Sequence, residues 1–164
     1  MTSINVVSQH TPYGGAHNEP YMIVVHSMGE YVKDVNGEFI FAPRLLENMG
    51  LSAHVLVAPS GKIYRCREDS EGAYHAKDFN TDSLGIEILV SGQHDIASFA
   101  KAIKTDYVTR PQWDAAVWQC REWIKKHNIT KIVRHSDISP SRKIDPGAGF
   151  KFLAFKKAVF SHAA

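Results

Sequence analysis

Two short strand-like stretches, each leading into a histidine, constrain this chain most. Tyr21 to Val25 precedes His26, and Thr130 to Val133 leads through Arg134 to His135. The first, an unbroken apolar run, fits a strand covered on both faces, as in parallel sheets. Ser27 and Gly29 predict that this strand stops at His26. A histidine there stands at the carboxyl end of a central strand, where open α/β sheets place their ligands. If the two strands run parallel in one sheet, His26 and His135 meet at the same edge. The competing reading of His26, from its own segment, is a capped structural histidine.

The remaining chain completes one α/β domain of 164 residues, with its core in residues 21–160. Residues 1–20 carry turn formers (Pro12, Gly14, Gly15, Asn18, Pro20) and read as an irregular lead-in. Phe41 to Met49 reads as a short helix closed by Gly50. Ala53 to Val57 and Lys62 to Cys66 flank Pro59-Ser60-Gly61, the pattern of a β-hairpin. A polar loop over residues 68–83 holds His75 and Asn80. In the next strand, Leu84, Ile86, Ile88 and Val90 form one apolar face, while Gly85, Glu87 and Leu89 point the other way. Residues 91–108 read as a loop with some irregular helix. Thr109-Arg110-Pro111-Gln112 then has the form of a capping box, opening a helix that Asn128 ends. His127 reads as a helix-end residue, and Phe150 to Phe160 as a closing amphipathic helix.

Composition excludes several classes of partner. A hydrophobic share of 44% and a charged share of 22% are those of an ordinary globular protein. A net charge of +2 is far from a nucleic-acid footprint. No apolar run approaches the ~20 residues of a membrane span. Met1 to Thr11 lacks the basic and apolar regions of a secretory signal, so the chain is expected in the cytoplasm as synthesised, as a monomer. Cys66 and Cys120 are expected to be buried free thiols.

The chemistry concentrates between Arg134 and Gly147. Pro140 and Pro146 fix φ and bar a helix, which puts His135, Lys143 and Asp145 on a rigid irregular loop. His26, His135 and Asp145 together offer two imidazoles and a carboxylate. That donor set suits zinc and leaves a fourth tetrahedral position open, as catalytic sites do. Glu87 is a carboxylate in the middle of an apolar strand, costly to bury without a partner. Gly85, on the same face, leaves a hollow beside it, and a cation or reacting water there explains both residues. The alternative is an edge strand with Glu87 in solvent. In the first reading Glu87 takes the proton of a water and passes it to a leaving amine. Lys143 stabilises the oxyanion. The predicted reaction is metal-assisted hydrolysis of an amide, with one zinc ion per chain.

Five pieces occur in order: Ile23-Val24-Val25-His26; Ser52-Ala53-His54-Val55-Leu56 with Gly61 in the turn; His75-Ala76 followed by Asn80; Ser83-Leu84-Gly85-Ile86-Glu87; and the run His135 to Gly147. This pattern resembles the zinc-dependent N-acetylmuramoyl-L-alanine amidases of type 2. That group includes phage lysozyme-type amidases, the cytosolic anhydro-muropeptide recycling amidase and the peptidoglycan recognition proteins. The resemblance implies a mixed central sheet flanked by helices, with His26, His135 and Asp145 on zinc, Glu87 as acid and base, and Lys143 assisting. It also implies cleavage of the amide between N-acetylmuramic acid and L-alanine of peptidoglycan. His75 and Asn80 then become candidates for lining the glycopeptide groove. Arg142 and Arg134 are candidates for meeting muropeptide carboxylates, with a solvated surface charge as the equal alternative, and His54 is expected to be structural or to support a ligand rather than to be one. Phage lysozyme-type members and recognition proteins carry tyrosine where this chain has Ala53, so Ala53 with Glu87 is similar to the recycling branch. The few residues between His26 and Ser52 look more like a compact phage endolysin, which would act on the cell wall after release. Two other readings stand beside this one: a module that binds peptidoglycan without cutting it, and a zinc peptidase that cuts another bond.

Overall fold

The computed structural model describes residues 3–161. In chain order the elements are β1 (Val6–Ser8), β2 (Met22–Lys33), β3 (Phe39–Phe41), α1 (Ala42–Asn48), β4 (Val55–Val57), β5 (Ile63–Arg65) and β6 (Ser83–His94). They continue with α2 (Ile96–Ala102), α3 (Arg110–His127), β7 (Lys131–Arg134), α4 (His135–Ile138) and α5 (Phe152–Phe160). Seven strands form one mixed sheet in the order β1-β5-β4-β6-β2-β3, with β7 also pairing with β2. β6 runs parallel to both β4 and β2, and β7 is parallel to β2. The β2/β3 and β4/β5 pairs are antiparallel.

Alternation along each strand gives the sheet two unlike faces. Ile23, Val25, Val55, Val57, Leu84, Ile86 and Ile88 turn toward α3 and α5, where Trp123 and Phe155 complete the main core. On the opposite face Leu56 and Leu89 pack against Ala42 and Leu46 of α1. Met22 and Val24 there meet Ala76 of the long loop. His26, Gly85 and Glu87 share the parity of this second face. They therefore look away from the large helices, into the space beside α1.

Several expectations are corrected here. β2 does not stop at His26 but runs on to Lys33, paired with an equally extended β6. Ser27 pairs with Ile88 and Gly29 with Val90, and a register shift between Gly29 and Tyr31 absorbs the irregularity. The backbone ladder thus overrides local turn preference. His26 lies mid-strand, and the histidines meet because short β7 ends beside it, with Val25 opposite Arg134. The lead-in contains a strand, β1, parallel to β5. Residues 96–102 form a regular helix whose Asp95 cap accepts from the Ser98 amide. The stretch after β7 begins with one helical turn, α4, before the prolines take effect.

The hairpin, α1 and the Thr109/Gln112 capping box stand as read, as does Asn128, which ends α3 in the left-handed region at φ 53°. Asp69 ties the long loop to the end of α3. Trp123 Nε1, Lys126 Nζ and His127 Nε2 all lie 2.9 Å from its carboxylate. Burial pushes the Asp69 carboxyl up, but these donors outweigh it and hold the group below its usual range. Cys66 and Cys120 are free and buried, as expected, and burial pushes both thiols up, that of Cys66 to about 12.

Candidate metal centre and active site

His26 and Glu87 are direct cross-strand partners on β2 and β6. His135 opens α4 at the end of β7, and Asp145 arrives on the proline-stiffened loop. The Asp145 carbonyl accepts from the Ser136 amide, and its carboxylate accepts from the Ser27 amide at 3.3 Å. Tyr107 braces the same arm by donating to the Pro146 carbonyl at 2.8 Å.

One ligand atom each from His26, His135 and Asp145 falls within a 4.8 Å cluster, and all three residues are buried. His26 Nδ1 is 2.9 Å from His135 Nδ1 and 3.4 Å from Asp145 Oδ2, and His135 Nδ1 is 3.1 Å from the same oxygen. Donors bound tetrahedrally to zinc at about 2.0 Å stand roughly 3.3 Å apart, so the three atoms fit one ion with small adjustments. Burial holds the His26 imidazole below its usual range, so it is neutral and able to ligate at neutral pH. Burial raises the Asp145 carboxyl, but the hydrogen bond from His135 and the neighbouring His26 ring prevail and leave it ionised, below the ordinary range.

Glu87 stands beside this cluster, its Oε1 3.9 Å from His26 Nδ1. Only 7% of its surface is exposed, which excludes the solvent-facing alternative. Burial and the Asp145 charge push its carboxyl well above the usual range, against the pull of Lys143. Its Oε2 is buried with no hydrogen-bond partner among the described residues. A buried acceptor of that kind fits a site built for a cation and a reacting water.

A cleft of about 390 Å³ opens over the cluster, and Lys143, Arg142, His75 and Asn80 all line it. Arg142 is exposed and reaches Ser139 Oγ at 3.3 Å. Asn80 Oδ1 accepts from the amides of His75 and Ala76, which leaves its NH₂ group for the cleft. Arg134 is not brought to the cleft: it pairs with Asp137 at 2.8 Å and lies over the Phe152 ring. The hollow expected above Gly85 is filled by the His75 imidazole, which a Cβ at Gly85 would meet at 2.5 Å. Sequence reasoning passed over Ser83, although period-two alternation places it on the same face as Gly85 and Glu87.

His54 is structural. Its Nδ1 accepts from the Gly85 amide at 3.0 Å and its Nε2 faces the Glu71 carbonyl at 2.8 Å. Burial pushes it down to about 4. Between pH 6.5 and 4 the unfolded chain binds a proton at this residue that the folded chain refuses. Stability from His54 is therefore complete above pH 6.5 and falls by about 3 kcal/mol as the pH drops to 4. Urea unfolding at pH 7 and pH 4.5 checks this: the wild type should lose more stability on acidification than His54→Gln.

A sequence family described as N-acetylmuramoyl-L-alanine amidase matches residues 16–148. Among curated proteins, the 1,6-anhydro-N-acetylmuramyl-L-alanine amidase AmpD of Haemophilus influenzae is 28% identical over 119 residues. The match covers 68% of this chain and 60% of that relative, so the chain spans less than two thirds of the relative's length. Among solved structures, the N-acetylmuramoyl-L-alanine amidase LysC from Clostridium intestinale URNW aligns with a TM-score of 0.70 at 22% identity, over 94% of this chain and 96% of that one. The amidase AmiD from E. coli, solved with anhydro-N-acetylmuramic acid-L-Ala-D-gamma-Glu-L-Lys, aligns at 0.62 and 20% identity over 87% and 58%. The two structures share this fold.

Proposed function

The chain belongs to the N-acetylmuramoyl-L-alanine amidase family, and we propose that it hydrolyses the amide between N-acetylmuramic acid and L-alanine in peptidoglycan-derived muropeptides, using a zinc ion held by His26, His135 and Asp145. The observation that carries this reading is the junction of three donor atoms and a buried carboxyl beneath one cleft. Zinc held by these two imidazoles and the carboxylate would supply a Lewis acid and bring the pKa of water to about 7.

Each of the chain's own groups then has a task. Glu87 takes the proton from water as its oxygen adds to the amide carbon. The carboxylic acid so formed, buried beside the cluster, then passes that proton to the departing nitrogen of L-alanine. Lys143 places an ammonium at the cleft wall, where it donates to the carbonyl oxygen as that atom gains charge. The exposed Arg142 guanidinium and the Asn80 amide offer donors to carboxylates and carbonyls of the peptide. His26 and Asp145 stay rigid because β2 and the Ser27 amide hold them.

The test is to incubate purified protein with soluble anhydro-muropeptides and with intact walls, before and after chelator treatment, and to restore zinc. The expected result is cleavage that stops in chelator and returns with zinc. Cleavage of neither substrate, or cleavage indifferent to chelator, would contradict the proposal.

A further inference from the structure

His75 has an occupied ring on both sides. Its Nδ1 lies 2.9 Å from His26 Nε2, and its Nε2 lies 3.1 Å from Ser83 Oγ. Ser83 Oγ in turn lies 2.5 Å from the Phe79 carbonyl oxygen. A carbonyl can only accept, so the Ser83 proton is directed to Phe79. The serine oxygen must then accept from His75, which places the His75 proton on Nε2. His75 Nδ1 is left as an acceptor, and a neutral His26 must give it the proton on Nε2. The far nitrogen, His26 Nδ1, is thereby bare, and it is the atom that lies among the His135 and Asp145 donors. The chain of bonds runs one way because it ends on backbone.

The surroundings hold this ring in place. Asn80 Oδ1 fixes the backbone of His75 and Ala76. The imidazole lies on the bare backbone of Gly85, where an added Cβ would stand 2.5 Å from Nδ1 and 2.7 Å from Cγ. The Gly85 amide is itself held by His54 Nδ1. The His26 and His75 rings meet edge to face, with centroids 5.1 Å apart.

We propose that His75 is a positioning residue: through the one-way chain His26–His75–Ser83–Phe79 it fixes His26 in the tautomer that turns a bare Nδ1 into the metal centre, and Gly85 is there to make room for it. The inference rests on the reading of His26 as a ligand. Partners of this kind typically carry 10–100-fold of a site's metal affinity.

The test has two parts. Long-range NMR of isotope-labelled histidine in the metal-free protein reads which nitrogen of His26 carries the proton. The wild type should show protonation at Nε2, and His75→Ala a mixture of both tautomers. Zinc affinity by chelator competition should fall roughly 10–100-fold in His75→Ala and in Gly85→Ala. It should recover largely in His75→Asn, whose Oδ1 takes the place of Nδ1 as acceptor, an outcome that a merely space-filling role would not give. Ser83→Ala should weaken affinity in the same direction. A wild-type His26 protonated at Nδ1, or a His75→Ala protein that binds zinc as tightly as wild type, would overturn the proposal. If His75→Ala does not fold, the wild-type tautomer and the Ser83→Ala affinity decide. If the wild type binds no zinc at all, the proposed function fails, while the tautomer measurement still decides the role of His75.

Discussion

Replacing His26 by alanine removes zinc and hydrolysis together. The residue is 2% exposed in the middle of β2 and supplies one of the three clustered donor atoms. Two donors, His135 and Asp145, remain, and they already lie 3.1 Å apart. Without the ion that pair can stay hydrogen-bonded through His135 Nδ1, which engages the atom otherwise available to a metal. Structural zinc sites with four protein ligands are worth ~10–16 kcal/mol at neutral pH, or about 2.5–4 kcal/mol per ligand, so affinity should fall roughly 10²- to 10³-fold. Metal analysis after dialysis against a competing chelator reads the loss directly. A variant that keeps one zinc per chain and wild-type turnover would remove His26 from the centre.

Glu87→Gln separates binding from chemistry. Glutamine keeps the shape and leaves the three donors untouched, so zinc content should match wild type. Turnover should drop about 10²- to 10⁴-fold, the usual scale for a positioned acid–base group. The pH profile carries a second signature. Glu87 acts as a base only when ionised, so wild-type activity rises with pH as its carboxyl gives up its proton. That rising limb should vanish in the glutamine variant. An unchanged turnover number would exclude Glu87 from proton transfer.

Much of the site was readable because its chemistry breaks local pattern. Glu87 interrupts an apolar strand, and the alternation around it gave the correct face. The prolines marked the Asp145 arm as rigid, and β2 and β7 do run parallel, the condition under which the two histidines meet. What stayed hidden depends on long-range pairing. Ser27 and Gly29 carry turn preference, yet the ladder with β6 keeps them extended, so the end of β2 could not be placed from sequence. Gly85 signalled space, but its occupant, His75, comes from a loop whose path is set by Asn80 and by contacts remote in sequence. The role of Arg134 was likewise undecided until its bond to Asp137 was visible.

Which bond is cut and where the oxygen of water goes decide the mechanism. The decisive measurement is digestion of a defined muropeptide in heavy-oxygen water, followed by mass spectrometry of both products. The expected products are an intact muramyl sugar with the heavy oxygen in its new carboxyl group, and an unlabelled peptide beginning with L-alanine. Label in the peptide, or a cut between amino acids, would contradict this mechanism.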